Sequence, residues 1–219
     1  MELASLVMSV LALALAGVAA QKMRKLEFCP EEVGGDVILP RPGAAARPRL
    51  LLPLHFCNAG HAGGVIEWVA LRVTPEADAD RPVLLSPVAE VDMQRFIHAR
   101  RRLSEDCMEA FTGFALDARR SASRFVLFDV AERARAAPLA LQEGRYYFEL
   151  FVKASNSSQP KLEISFAHLL EAKHLADYRD DLAVYLIDYN MTLPGARRAL
   201  ADSEWMPRSG NAKLREIGV

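Results

Sequence analysis

The sequence predicts a mainly β protein, a sandwich of about seven strands with an apolar membrane-spanning run before it and a short helix and tail after it. Three observations carry that expectation. Short runs of alternating apolar and polar residues recur between turn signals through the middle of the chain. No ten-residue helical pattern alternates with these runs, which argues against a parallel α/β sheet. The first part of the chain holds eighteen consecutive uncharged residues, 3–20, LASLVMSVLALALAGVAA.

The strands are read in order. Val37 to Leu39 is a possible edge strand closed by prolines, inside a Gly-, Pro- and Ala-rich linker (26–49). Leu50 to Cys57 alternates, with Leu50, Leu52, Leu54 and Phe56 on one face. Val65 to Val73 alternates too, with Val65, Val69, Leu71 and Val73 together. Arg81 to Pro87, Ala110 to Leu116 and Arg124 to Val130 follow. Arg145 to Val152, RYYFELFV, is the strongest strand by composition, and Lys161 to Phe166 completes the set after a turn at 156–160. Residues 91–109 are ambiguous: Val91 to Ile97 fits a strand and Leu103 to Glu109 a short helical turn. Ser104 followed by Cys107 lacks the Glu or Gln of a capping box. Near the C-terminus, Leu175, Tyr178, Leu182, Tyr185, Leu186 and Tyr189 recur at helical steps, which predicts an amphipathic helix over 174–189. Val184 to Ile187 also fits a strand. The organisation expected is an anchor (1–25), a linker (26–49), a β domain (50–168) and a C-terminal helix with a polar tail (169–219).

As a helix, residues 3–20 span about 27 Å, enough for a bilayer core. Lys22, Arg24 and Lys25 follow at once. The positive-inside rule places that flank, and the domain after it, in the cytoplasm beneath an inner membrane crossed once. The alternative is a secretory signal cleaved near Val18-Ala19-Ala20, which sends the domain to the periplasm or outside; the acidic Met1-Glu2 start argues against it. Hydrophobic residues are 51% and charged residues 25%, a globular balance. Ala and Arg are abundant and Lys scarce, which suggests a GC-rich bacterial source. A net charge of -1 offers no field to draw nucleic acid. Cys29, Cys57 and Cys107 form no disulfide framework.

The stretch Leu52 to Val73 resembles a strand–turn–strand pattern: apolar alternation, Asn58-Ala-Gly60, a Gly-containing turn and a second strand opening at Val65-Ile66. With the anchor and the Gly144-Arg-Tyr-Tyr-Phe strand, it resembles small bacterial membrane-anchored proteins of unknown function, which join an N-terminal transmembrane helix to an immunoglobulin-like β-sandwich. The resemblance covers about a third of the chain. It implies fold and anchoring and brings no catalytic residues.

The candidate chemistry is sparse. His55 and Cys57 lie two apart on a strand and share a face, and His61 follows the turn, a set that suits zinc or copper. Their spacing matches no established ligand template, so a half-exposed strand face and turn is the preferred reading, with no cofactor. Gly60 to Gly64 joins strand to strand, whereas phosphate loops lead into a helix. Arg100, Arg101 and Arg102 form a basic patch that suits anionic lipid head groups; the competing reading is a solvated loop balanced by Glu105 and Asp106. Asp177, Asp180 and Asp181 lack an EF-hand pattern and read as a charged helix face. No Gly-x-Ser-x-Gly, His-Glu-x-x-His or kinase motif occurs. The sequence therefore leads to a non-enzymatic, membrane-anchored interaction or accessory module with a membrane-proximal protein partner. A metal-binding exported domain using His55, Cys57 and His61 is the alternative.

Overall fold

The computed structural model describes residue 15 and residues 35–42, 47–130 and 139–186. The apolar run, Lys22, Arg24 and Lys25, and the tail after 186 lie outside them, apart from Leu15. Among the described residues no helix is long and apolar enough to cross a membrane.

The protein is mainly β. Its described strands are β1 (Val37–Leu39), β2 (Leu50–Cys57), β3 (Gly64–Pro75), β4 (Val83–Val91), β5 (Met108–Ala110), β6 (Phe114–Leu116), β7 (Ser121–Val130), β8 (Gly144–Ala154), β9 (Lys161–Leu170) and β10 (Val184–Leu186). All belong to one antiparallel sheet of order β10-β1-β2-β7-β4-β3-β8-β9, with β5 on β4 and β6 on β3. The sheet curls until its two ends, β9 and β10, touch, giving a nearly closed barrel. Bulges supply the curvature: the register shifts between Ile66 and Trp68, between Pro87 and Ala89, and between Leu150 and Phe151. Pro87 sits beside such a bulge, past Leu85 where the pairing of β4 with β3 ends, a place in a sheet that tolerates proline.

Alternation decides the interior. Leu50, Leu52, Leu54 and Phe56 of β2 meet Val69, Leu71 and Val73 of β3, Val126 and Phe128 of β7, and Phe148 and Leu150 of β8 in one core. On the far side of β2, Leu51 joins Ile38, Ala89, Val91, Phe96, Cys107 and Leu127 in a second cluster. That second cluster exists because residues 92–107 fold back over the outside of the sheet.

The same excursion corrects the strand reading of Val91 to Ile97. The strand stops at Val91, and Asp92 caps a helix, α1 (Met93–His98), its Oδ1 accepting from the N–H groups of Gln94 at 2.9 Å and Arg95 at 3.2 Å. Phe96 is the buried residue of this helix. The 3-10 turn at Glu105–Cys107 lies where a helical turn was expected. It also corrects the capping-box reading: the Ser104 N–H donates to Cys107 Sγ at 3.2 Å, so a thiol fills the role of the usual carboxylate.

Two further expectations change. The helix expected over 174–189 is α2 (Ala172–Arg179), which presses Leu175 and Tyr178 on the core and stops there. The chain then turns into β10, where period two wins over helical period: Val184 and Leu186 are buried and Tyr185 points outward. β1 is not an edge. It lies between β2 and β10, with Val37, Ile38 and Leu39 opposite Leu186, Tyr185 and Val184. The barrel therefore takes strands from both sides of residues 50–168. Burying Val184 and Leu186 is worth about 1.5–3 kcal/mol each, enough to favour strand there.

Candidate functional site

At the end of the barrel where β2 meets β3, the Asn58-x-Gly60 turn is built by one side chain. Asn58 is fully buried. Its Oδ1 accepts from the Gly60 N–H at 2.9 Å, closing an Asx turn. Its Nδ2 donates to the carbonyls of Ala62 at 2.9 Å, Asp117 at 3.0 Å and Leu116 at 3.3 Å. Its own N–H donates to the Arg120 carbonyl at 2.8 Å. One residue thus ties the β2–β3 loop to the turn between β6 and β7.

His55, Cys57 and His61 are placed around this knot. His55 and Cys57 stand opposite Ser123 and Ser121 of β7, and His55 Nδ1 lies 2.9 Å from Ser123 Oγ. The His61 ring packs on the Arg119 guanidinium, with Nδ1 at 2.9 Å and Nε2 at 3.1 Å from Nη2. Among the described residues, no group of three or more His, Cys, Asp or Glu is gathered to hold a metal ion. A guanidinium beside His61 also repels a cation.

The second candidate is basic. α1 ends in a Schellman motif: the Arg100 N–H donates to the Ile97 carbonyl at 3.0 Å and the Arg101 N–H to the Phe96 carbonyl at 2.8 Å. α2 ends the same way, with Asp181 N–H to Tyr178 at 3.2 Å and Leu182 N–H to Asp177 at 2.9 Å. Glycine normally fills the left-handed position of such a turn. Here Arg100 (φ 54°) and Asp181 (φ 58°) adopt it, and Arg101 (φ 62°), one residue beyond Arg100, is left-handed as well. The two turns meet. Asp181 Oδ2 accepts from Arg102 Nη2 at 2.5 Å and from Arg41 Nη2 at 2.6 Å. Arg41 Nη1 also donates to the Arg100 carbonyl at 3.3 Å, and the Arg101 guanidinium lies 5.5 Å from the Tyr185 ring centre. The hydrogen bonds of Arg41 and Arg102 hold the Asp181 carboxyl below the usual carboxylate range.

The loop expected to be balanced by Glu105 and Asp106 is therefore balanced by Asp181, eighty residues further on. Arg95 takes the Asp106 carbonyl instead, at 2.8 Å. Sequence reading placed Asp181, Leu182 and Tyr185 on a helix and gave Arg41 no role. The available signal was local: Asp at 180 and 181 after the helical run, a residue type that tolerates left-handed backbone.

Other charges are committed to the fold. Arg72 Nε donates to Glu149 Oε2 at 2.6 Å across β3 and β8, and the same guanidinium lies 4.9 Å from the Phe151 ring centre. Asp129 receives Arg47 at 3.0 Å and Arg49 at 3.2 Å. Glu163 stands in β9 where the register against β8 slips, and burial pushes its carboxyl up to about 7, with Lys161 opposing. Among the described residues, the space between Leu39, Leu50, Val73, Phe148 and Leu170 in the core is about 10 Å³, too little for an organic ligand. Among the described residues, clefts open on the outside. One of about 460 Å³ lies between Pro75–Val83 and Leu139–Tyr146. One of about 420 Å³, rich in carboxylates, lies beside the 3-10 turn.

No protein-family model, curated protein or solved structure matches this chain.

Proposed function

We propose that the chain is a membrane-tethered accessory module without chemistry of its own, whose barrel presents its outer surface to a protein partner at the membrane. What supports this reading is the tight packing of the core, where the space among Leu39, Leu50, Val73, Phe148 and Leu170 is about 10 Å³, so that other molecules are met on the outer surface. The tether is residues 3–20, with Lys22, Arg24 and Lys25 on the cytoplasmic side of an inner membrane. As part of the same proposal, the fold is read as immunoglobulin-like. The halves β10-β1-β2-β7 and β4-β3-β8-β9 act as two layers over one core, which draws side chains from both.

Alkaline carbonate extraction of membranes tests the tether. The full chain is expected to stay in the membrane pellet, and a chain lacking residues 1–25 to leave it. Release of the full chain by carbonate would overturn the reading.

A further inference from the structure

Two of the exposed large apolar side chains of the barrel belong to the two facing Schellman turns, and a third, Tyr185, follows in β10. Ile97 is 54% exposed, Leu182 49% and Tyr185 39%. Arg100, Arg101 and Arg102 lie among them, all exposed. Contacts link the two turns: Arg101 lies over Tyr185, and Arg102 pairs with Asp181, the chain neighbour of Leu182, while Ile97 lies in the turn that carries Arg100. Asp181 is shared by Arg41 and Arg102, while Arg100 and Arg101 make no ion pair among the described residues.

We infer that this patch, Ile97, Arg100, Arg101, Arg102, Leu182 and Tyr185, is a second membrane contact that seats the barrel on an anionic phospholipid surface. Guanidinium groups meet head-group phosphates, and a Tyr with short aliphatic neighbours suits the interfacial zone just beneath them. The backbone supports the assignment. Glycine would serve both Schellman turns better, so side chains kept at left-handed positions point to a use beyond the turn.

Reach supports it as well. His168 Nε2 donates to the Gly35 carbonyl at 2.5 Å, which pins the start of β1 to β9. Residues 26–34 between the basic flank and that pin span at most about 30 Å. Arg41, which bonds the Arg100 carbonyl and Asp181 at the border of the patch, follows Gly35 by six residues and so lies within about 21 Å of the pin. The inference rests on the tethered reading, and the test separates the two.

The full chain is mixed with vesicles of pure phosphatidylcholine, or of phosphatidylcholine with phosphatidylglycerol. Flotation and amide hydrogen exchange are then measured. Flotation with both compositions, with exchange of 97–102 and 181–186 slowed several-fold only in the anionic vesicles, is the result expected. Arg100→Glu/Arg101→Glu is expected to abolish that slowing. Arg100→Gly, which relieves the turn, is expected to weaken it in a protein at least as heat-stable. Flotation with both compositions and equal exchange overturns the patch and leaves the tether standing. Flotation only with anionic vesicles, lost in the double variant, overturns the tether and supports the patch. Flotation with neither overturns both.

Discussion

At one end of the barrel a single amide holds two distant turns together. Asn58 satisfies the Gly60 N–H and three carbonyls from residues 62, 116 and 117. Asn58→Ala leaves these groups buried without partners, at about 1–3 kcal/mol for each that water does not reach. A loss of about 2–4 kcal/mol in urea unfolding is expected. Asn58→Asp should be no better, because it sets an oxygen against carbonyl oxygens. Sequence reading identified Asn58 as a turn residue and stopped there, since its partners at 116 and 117 lie far along the chain. Glu163 makes a different residue-scale statement. Its carboxyl rises from an ordinary 4.5 to about 7 on folding. Between those values the native state holds a proton that the unfolded state has lost, so stability falls as pH rises from about 4.5 to about 7. Glu163→Gln is expected to flatten the Tm-against-pH curve over that window and to raise Tm at pH 8. An unchanged slope would refute the assignment.

Strands were the most legible elements, because period two shows wherever one face enters a core. Leu50 to Cys57 is β2 with no residue gained or lost. The helices were less legible. α1 runs for six residues, too short for a periodic signal, and its clearest mark is the Asp92 cap. The segment 182–186 carries helical spacing by coincidence and is drawn into strand by β1, which local sequence does not reveal. Element ends give two predictions. Arg100→Gly removes the strain of a left-handed arginine and should stabilise the fold by about 1 kcal/mol, seen as a higher Tm. Gly113→Ala should destabilise it, because a Cβ there would lie 2.8 Å from the Ile66 carbonyl oxygen and the backbone must move. The gain at Arg100 beside the loss at Gly113 separates a position kept for its side chain from one kept for its backbone.

Over the whole molecule, the β1–β10 pair joins residues 37–39 to 184–186 at one end of the sheet, and the contact of β10 with β9 nearly closes the barrel. Asp181 links that seam to the excursion over the outer face through Arg41 and Arg102. Its carboxyl is held low by these partners, so its contribution is present above the unfolded carboxylate value and is lost as pH falls through the lower folded one. Asp181→Asn should therefore lower Tm at pH 7 and matter little in strong acid. The mainly β class was legible from the middle of the chain. Closure into one curled sheet was not, because it depends on bulges and on pairing between residues 37–39 and 184–186. The proposed membrane-contact surface was legible only as its basic tripeptide: Asp181, Arg41 and Tyr185 come to it through tertiary contact.

We propose a barrel tethered to the cytoplasmic face of a membrane. The most direct measurement is a pair of reporters fused after Val219, one active only in the cytoplasm and one only in the periplasm. The account predicts activity of the cytoplasmic reporter, with the protein in the membrane fraction. Activity of the periplasmic reporter would contradict it.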